Sequence, residues 1–508
     1  MLVCILGLLL SLFAIDGGVP QVLASPEFSG DSSSPFSQVV TKRIRMSLGG
    51  KTWHEQPDHV LYRLSEQKWS RLLRDALGLP NWLELSLRNR TRYESVSHTW
   101  RRGQLGQNDV QVVQKSNVRL GATQGPFSIL FEGYDARTHF QDLPNDFNAG
   151  LVNQTDILQL FAAGTFHNTW GTGLRTDVHI GRFTFEFGST RLLGRNVYPN
   201  VVNAFDGLHV HVGKGKEWRA RGFIVEPRLL DAKQLDEQSA RQVFWGTTGE
   251  LRQNPWAIFG SYYLGLNDTV SAIRRVINTF GVRVHKNQGA PSLYKRLHDR
   301  DEDILNGLEG LDYELEGAVQ TGTRGQTDFF AYMIVGAVGY TFHAPWSPRL
   351  RVLYDYASGT RTPGGSQNQT FDPLFGLRRF DMMVTGLFGP FFRSNISSPG
   401  WRIDVRPYKN LRVWLKQRFW YLAQAKDAFV GSGTGGGLQD ATGNSGNYLG
   451  HELELATSWN IHSNLILQAG YEHWFKGTYF DRLPASAGLP PGGEKDTDYF
   501  YFHIEVRL

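Results

Sequence analysis

Cysteine is nearly absent from this 508-residue chain. The one cysteine is Cys4, inside the apolar stretch over residues 1–24. A mature chain beginning at Ser25 would therefore contain no thiol. Cys4 also lies too near the start to follow an export segment, as the cysteine of a lipoprotein does.

The stretch over residues 1–24 resembles a secretory signal peptide. It has an apolar core of suitable length and ends in Val22-Leu23-Ala24, a small-residue cleavage site. No Lys or Arg precedes the apolar run, which departs from the usual pattern. The alternatives are a buried core segment or a membrane anchor, although the run is short for a spanning helix.

Long apolar runs are missing after Ala24, so the sequence predicts no membrane-spanning helix in the remainder. If the mature protein lives in a membrane, it must cross as a closed barrel, the other structure that satisfies every backbone group in lipid.

Blocks of basic residues are also missing. The formal charge is +5 and the cations are scattered along the chain, which argues against nucleic-acid binding. Neither G-x-S-x-G nor a P-loop is found, so we predict no enzymatic activity and no cofactor. His209 and His211 share a strand face, but no third ligand at suitable spacing supports a metal site.

Aromatic residues, in contrast, are abundant at 13%, with 32 Phe, 19 Tyr and 14 Trp. Transmembrane barrels use such residues at both membrane interfaces, where an aromatic ring keeps one edge wet and the other in lipid.

The periodicity of the chain changes at Asn81. Residues 25–80 contain a Ser/Pro-rich stretch followed by a predicted amphipathic helix over 60–77, which ends before Gly78 and Pro80. From Asn81 to the end, apolar and polar residues alternate with the period of two that strands require. The segments that alternate most clearly are residues 82–94, 182–187, 207–213, 312–320, 349–356, 401–406, 411–421, 452–459 and 498–508.

Connections between these segments fall into two sizes, which fits a barrel with short periplasmic turns and longer outer loops. The long candidates are residues 286–310, 360–370, 431–447 and 484–498. Strand-plus-loop units of about two dozen residues give roughly 16–18 strands, enough to leave an aqueous channel. We predict an all-β, transmembrane, antiparallel up-and-down barrel over 81–508, after a signal peptide over 1–24 and a periplasmic segment over 25–80.

Three segments resemble the alginate export family of outer-membrane barrels. The most specific is residues 181–207, GRFTFEFGSTRLLGRNVYPNVVNAFDG; residues 354–375 and 312–322 (DYELEGAVQTG) follow. The resemblance covers most of residues 81–508. It implies passage of a negatively charged polysaccharide such as alginate through an arginine-lined constriction, without a metal or nucleotide.

Strand faces supply cations that could replace water around the carboxylates of a passing polyanion. The predicted pore-lining residues on strands are Arg88, Arg90, Arg92, Arg402, Arg406, Arg412, Lys416 and Arg418. Arg182, Arg191, Arg195 and Asp206 join them from the family-like segment, where a loop could fold inward. The alternative for each arginine is a membrane-interface anchor or the partner of a lumen carboxylate, and for Arg191, Arg195 and Asp206 a salt bridge that fixes a turn.

The sequence thus favours a monomeric, passive, anion-selective channel in the outer membrane of a Gram-negative bacterium. Its expected partners are an acidic polysaccharide or other acidic solute, membrane lipid and periplasmic export proteins. The alternatives are a general porin, or a barrel hydrolase whose Ser, His and polar partner converge near the outer rim. An energised transporter is disfavoured because the segment before Asn81 is too short for a plug domain.

Overall fold

The alternating segments form the strands of one closed sheet. The computed structural model describes residues 72–100, 108–140, 150–186, 188–195, 198–215, 217–239, 241–254, 256–271, 273–286, 310–342, 344–377, 382–429, 437–489 and 491–508. Within them, helix is confined to α1 (Leu72–Ala76), α2 (Thr478–Asp481) and a 3-10 turn at Ala485–Ala487. None of these described helices is long and apolar enough to cross a membrane.

Among the described residues, twenty strands follow in chain order. They are β1 (Leu83–Val96), β2 (Asp109–Gln124), β3 (Phe127–His139), β4 (Asn153–Thr169), β5 (Leu174–Phe183), β6 (Phe205–Lys214), β7 (Trp218–Leu229), β8 (Glu237–Gln238), β9 (Gln242–Leu251), β10 (Ala257–Asp268), β11 (Arg275–Lys286), β12 (Leu311–Arg324), β13 (Thr327–Thr341), β14 (Arg349–Ala357), β15 (Gln367–Asn368), β16 (Ile396–Tyr408), β17 (Leu411–Leu422), β18 (Tyr448–His462), β19 (Leu465–Lys476) and β20 (Thr497–Arg507).

Eighteen of these strands make the barrel wall. Each wall strand pairs antiparallel with the next, and β1 pairs with both β2 and β20, which closes the sheet. The two-residue strands β8 and β15 only extend β7 and β13. The predicted up-and-down barrel of about 16–18 strands is confirmed.

Side chains alternate between the bore and the outer face of the wall. In β20, Tyr499, Tyr501 and His503 are buried inside, whereas Phe500 and Phe502 are about two-fifths exposed on the outside. The period of two places every second residue on each face. The apolar outer face is the one expected to meet lipid.

The wall has two unlike edges. Short connections such as residues 125–126, 215–217 and 463–464 lie at one edge, called here the turn rim. The opposite edge, the loop rim, has longer connections, of which residues 184–204 and 358–395 are called segments A and B. Residues 286–310, predicted as a long outer loop, connect β11 to β12 at the turn rim instead; of these, 287–309 lie outside the described residues.

Segments A and B enter the bore and contact each other. Leu193 and Phe375 form a parallel bridge, and the Leu377 N–H donates to the Thr190 carbonyl at 2.8 Å. Apolar side chains from both segments belong to one buried cluster, which includes Leu192, Phe388 and Phe391. The loop-rim half of the bore is therefore packed.

One predicted strand needs correction, and one predicted helix is described only in part. The strand predicted over 182–187 is wrong beyond Phe183, because β5 ends there and the next residues turn inward as segment A. Its alternating Phe183 and Phe185 pack edge to face at 5.4 Å inside the barrel. Of the helix predicted over 60–77, residues 72–76 are helical and residues 60–71 lie outside the described part of the chain.

Candidate functional site

The three arginines predicted on β1 lie at different depths. Arg88 is near the turn rim, where its side chain is 21% exposed and pairs with Glu505 at 2.6 Å. Arg90 and Arg92 are buried beneath segment A and donate to the Tyr198 carbonyl at 2.9 and 2.6 Å. Arg88 is therefore accessible from the bore, whereas Arg90 and Arg92 bind segment A.

A second group of cations surrounds Asp404, on β16. Arg402 and Arg412 both donate to its carboxylate, at 2.8 and 2.9 Å, and both lie over the Trp414 ring. The side chain of Arg412 is 38% exposed. Half-buried Arg406 lies two residues beyond Asp404 along β16, closer to the turn rim. This group can offer charge to a solute.

Lys416 and Arg418, on β17, are buried and anchor the interior. The Lys416 ammonium donates to the Met382 carbonyl of segment B at 2.7 Å and pairs with Glu454 at 2.5 Å. Arg418 pairs with Asp355 at 2.7 Å, and Asp355 also accepts from Arg393 of segment B at 2.8 Å. These two cations, predicted to line the pore, instead connect the wall to segment B.

One group of possible metal ligands and one pair of histidines lie in the described part of the bore. Oxygens of the buried Glu452, Glu454 and Glu472 lie within 4.8 Å of one another, and the Lys416 ammonium neutralises part of their charge, 3.3 Å from Glu452. His211 pairs with Asp177 at 3.2 Å, and His209 packs against Phe185 at 5.3 Å. Both groups fit internal networks of the wall.

Arg191 and Arg195 connect segment A to distant parts of the wall. Arg191 donates to Glu314 and Glu316 of β12 at 2.7 and 2.8 Å, while Arg195 donates to Glu132 of β3 at 2.9 Å. Since β3 and β12 are eight wall strands apart in a ring of eighteen, the segment crosses the bore.

Arg182 and Asp206 lie outside the bore, unlike the prediction. They pair at 3.0 Å on the outward face of β5 and β6 and share a shallow groove with the exposed Ile180 and Leu208. Arg228 donates to the same Asp206 carboxylate at 2.8 Å. The reason is the period of two along each strand. Arg182 is two residues from the outward-facing Ile180, and Asp206 is two residues from the outward-facing Leu208, so both face outward too.

Sequence reasoning missed several inward arginines in the turn-rim half of the barrel. Their common signal is alternation with apolar residues on short strands, as in Arg219-Ala220-Arg221 and Arg349-Leu350-Arg351. They lie beside Asp177, Glu250, Asp312 and Glu314. They include Arg175, Arg219, Arg221, Arg283, Arg349 and Arg351.

Glu186 is an acidic group of segment A in a mostly buried position. Burial raises the pKa of its carboxyl to about 7. The Arg195 N–H, which donates to it at 3.3 Å, and the guanidinium groups of Arg195 and Arg221 oppose that rise without cancelling it. The bore therefore contains a carboxyl that titrates near neutral pH.

A family model described as alginate export matches residues 81–488. Among solved structures, Pseudomonas aeruginosa OccK8 (OprE) is 12% identical with a TM-score of 0.53, and the match covers 84% of this chain and 98% of that chain. The outer membrane protein opdK from Pseudomonas aeruginosa is 10% identical, with the same TM-score and the same shares covered.

Acinetobacter baumannii OccAB1 is 11% identical with a TM-score of 0.52, covering 84% of this chain and 96% of that chain. At these identities the likeness to solved structures shows the fold. No curated protein matches the chain by sequence.

Proposed function

Since the chain belongs to the alginate export family, we propose that it is a passive, anion-selective channel for an acidic polysaccharide such as alginate, or for a related acidic solute. It is a protein of the bacterial outer membrane. We further propose that residues 1–24 are an export signal, that residues 25–80 lie in the periplasm and that the turn rim faces the periplasm, as is usual for such barrels.

The observation that carries the proposal is the basic turn-rim half of the bore. Among the described residues of this region, Arg88, Arg175 and Arg412 keep 21%, 19% and 38% of their side chains exposed. A carboxylate that enters this region loses hydration, and guanidinium groups replace the water with paired hydrogen bonds.

Each of these three arginines is already paired with a carboxylate of the wall. Arg88 is bonded to Glu505, Arg175 to Asp177 and Arg412 to Asp404, at 2.6 to 2.9 Å. Such pairing keeps every site weak, and several weak sites in series suit a solute that must also leave. Arg90, Arg92, Lys416 and Arg418 have a different role in this proposal, because they position segments A and B.

Ion selectivity in planar bilayers tests the function. Under a KCl gradient we expect a reversal potential that shows chloride to be more permeant than potassium. We also expect uronate oligomers to block the current. Changing Arg88, Arg175 and Arg412 together to Gln leaves Glu505, Asp177 and Asp404 without these partners, so the preference should decrease or reverse. Arg182→Gln, on the outer face, is the matched control and should keep the wild-type potential. A wild-type preference for potassium would contradict the proposal.

A further inference from the structure

The bore contains a site where arginines from three elements meet at one carboxylate. Small residues on β13 make it possible: Gly339 lies opposite Asp312, and Ala337 lies opposite Glu314. A Cβ on Gly339 would come within 2.7 Å of the Asp312 carboxylate. Because β13 presents so little bulk, the arginines of β14 reach across it to β12.

Glu314 accepts hydrogen bonds from all three of these arginines. Arg191 of segment A binds it through both terminal nitrogens, at 2.7 and 3.1 Å. Arg283 of β11 donates at 3.0 Å, and Arg351 of β14 donates at 3.3 Å. The forked pairing with Arg191 is the geometry by which arginine recognises a carboxylate in general.

Glu316 completes the arrangement. It accepts from Arg191 at 2.8 Å and from the Tyr262 hydroxyl at 2.9 Å. If Arg191 leaves, Arg283 and Arg351 stay with Glu314, and Tyr262 stays with Glu316. The departure of Arg191 therefore leaves both buried carboxylates with donors, which avoids the large penalty for an unpaired buried charge.

From this geometry, and resting on the proposed function, we infer that Glu314 and Glu316 act as an internal substitute for the substrate. Together they hold Arg191 and so tie this part of segment A to β12. A carboxylate of the passing polymer takes their place on Arg191 and releases the segment from β12.

In the exchange, Arg191 gives up three hydrogen bonds to the two wall carboxylates and forms bonds of the same kind with a carboxylate of the polymer. The polymer shifts the equilibrium only by binding the released state better than the held state. It does so because the released Arg191 gains a partner from the polymer, whereas a small chloride ion cannot provide the same forked pairing.

Open probability in planar bilayers tests the inference. Arg191→Gln, in the full chain, removes the positive charge on segment A. Glu314→Gln combined with Glu316→Gln removes the two negative charges on β12 that bind it. Each should raise the time-averaged conductance without oligomer by at least about tenfold, because each weakens three charge-assisted hydrogen bonds of Arg191 and the loss of one alone would account for a tenfold change. Added oligogalacturonate should open the wild-type channel and have little further opening effect on either variant.

Matched controls separate the latch from a general loss of structure. Arg182→Gln should keep the wild-type conductance, and a neutral malto-oligosaccharide of equal length should open no channel. Heat-dependent gel mobility verifies that each variant forms the barrel. A folded Arg191→Gln channel with wild-type conductance would overturn the latch, and so would opening by only one of the two sets of variants.

The same recordings distinguish this inference from the proposed function. Potassium preference in an opened Arg191→Gln channel would refute anion selectivity and leave the latch intact. Chloride preference with unchanged opening would refute the latch and leave the channel function.

Discussion

At the scale of single residues, arginine has three different roles that depend on where the side chain points. Arg412 is partly exposed in the bore and can meet a solute. Arg92 is fully buried, bonded to Glu94 and to the Tyr198 carbonyl. Arg182 belongs to an ion pair on the outer face. Charge alone does not separate these roles, since all three residues are cations on strands.

Glu186 gives a pH prediction at this scale. Its carboxyl has a pKa of about 7 against an ordinary value of 4.5. A raised pKa means that the folded state favours the protonated form, so the contribution of Glu186 to stability is fully present below pH 4.5 and is lost as the pH rises to about 7. Relative to Glu186→Gln, the unfolding free energy of the wild type should decrease by on the order of 3 kcal/mol over that range.

Urea unfolding in lipid vesicles at a series of pH values measures this difference. Above pH 7 the unfolding free energies of the wild type and Glu186→Gln should change with pH in parallel, because Glu186 is then ionised in both folded and unfolded states. Parallel curves from pH 4 to 8 would mean that this carboxyl is not desolvated.

At the scale of elements, strand ends decide where the interior segments begin. Segment A starts where β5 stops at Phe183, and the facing glycines Gly181 and Gly207 have φ of 124° and 158°. A Cβ on Gly207 would lie 2.2 Å from the Ile224 carbonyl oxygen, which belongs to the neighbouring strand. This close approach of backbones lets β5, β6 and β7 stay paired at the base of segment A.

Gly207→Ala should therefore destabilise the barrel by at least ~3 kcal/mol, because strand backbone must move and the φ is unfavourable for alanine. Gly125→Ala is a suitable comparison: Gly125 also has positive φ, at 58°, but nothing lies within 4 Å of its added Cβ. It should cost only about 1 kcal/mol. Equal losses in urea unfolding would show that the contact with Ile224 is relieved without strain.

At the scale of the whole molecule, the barrel combines a basic turn-rim half with a packed loop-rim half. Exposed cations such as Arg88 and Arg412 lie in the first half, and the aromatic cluster around Phe391, Trp420 and Trp474 lies in the second. A solute would meet the charged region and the segments at different depths. Selectivity and opening are therefore expected to respond to different changes.

Salt should weaken selectivity without affecting the structure. The Debye length decreases from about 10 Å at 0.1 M to about 3 Å at 1 M, so charges of partly exposed arginines reach less far into the bore. The chloride-to-potassium permeability ratio should decrease several-fold between these concentrations. A ratio that stays constant would indicate that buried charges, which salt screens little, set the selectivity.

The sequence by itself determined the wall. Alternation with period two selects strands and assigns each side chain to a face, so the inward direction of Arg88, Arg402 and Arg412 could be predicted from local patterns. Closure was predicted because the sequence has no apolar run for a spanning helix after Ala24, and the strand number was predicted from the length of the alternating region. The family resemblance also pointed to segment A as a loop that enters the bore.

Only the tertiary structure decided which cations stay accessible. Arg90 and Lys416 have the same alternation as Arg88, yet carbonyls of Tyr198 and Met382, distant in sequence, cover them. The pairing of Arg191 with Glu314 likewise joins residues 123 positions apart. Periodicity describes neighbours along a strand, whereas these contacts depend on where two long segments fold inside a closed ring, and local pattern contains no information about that.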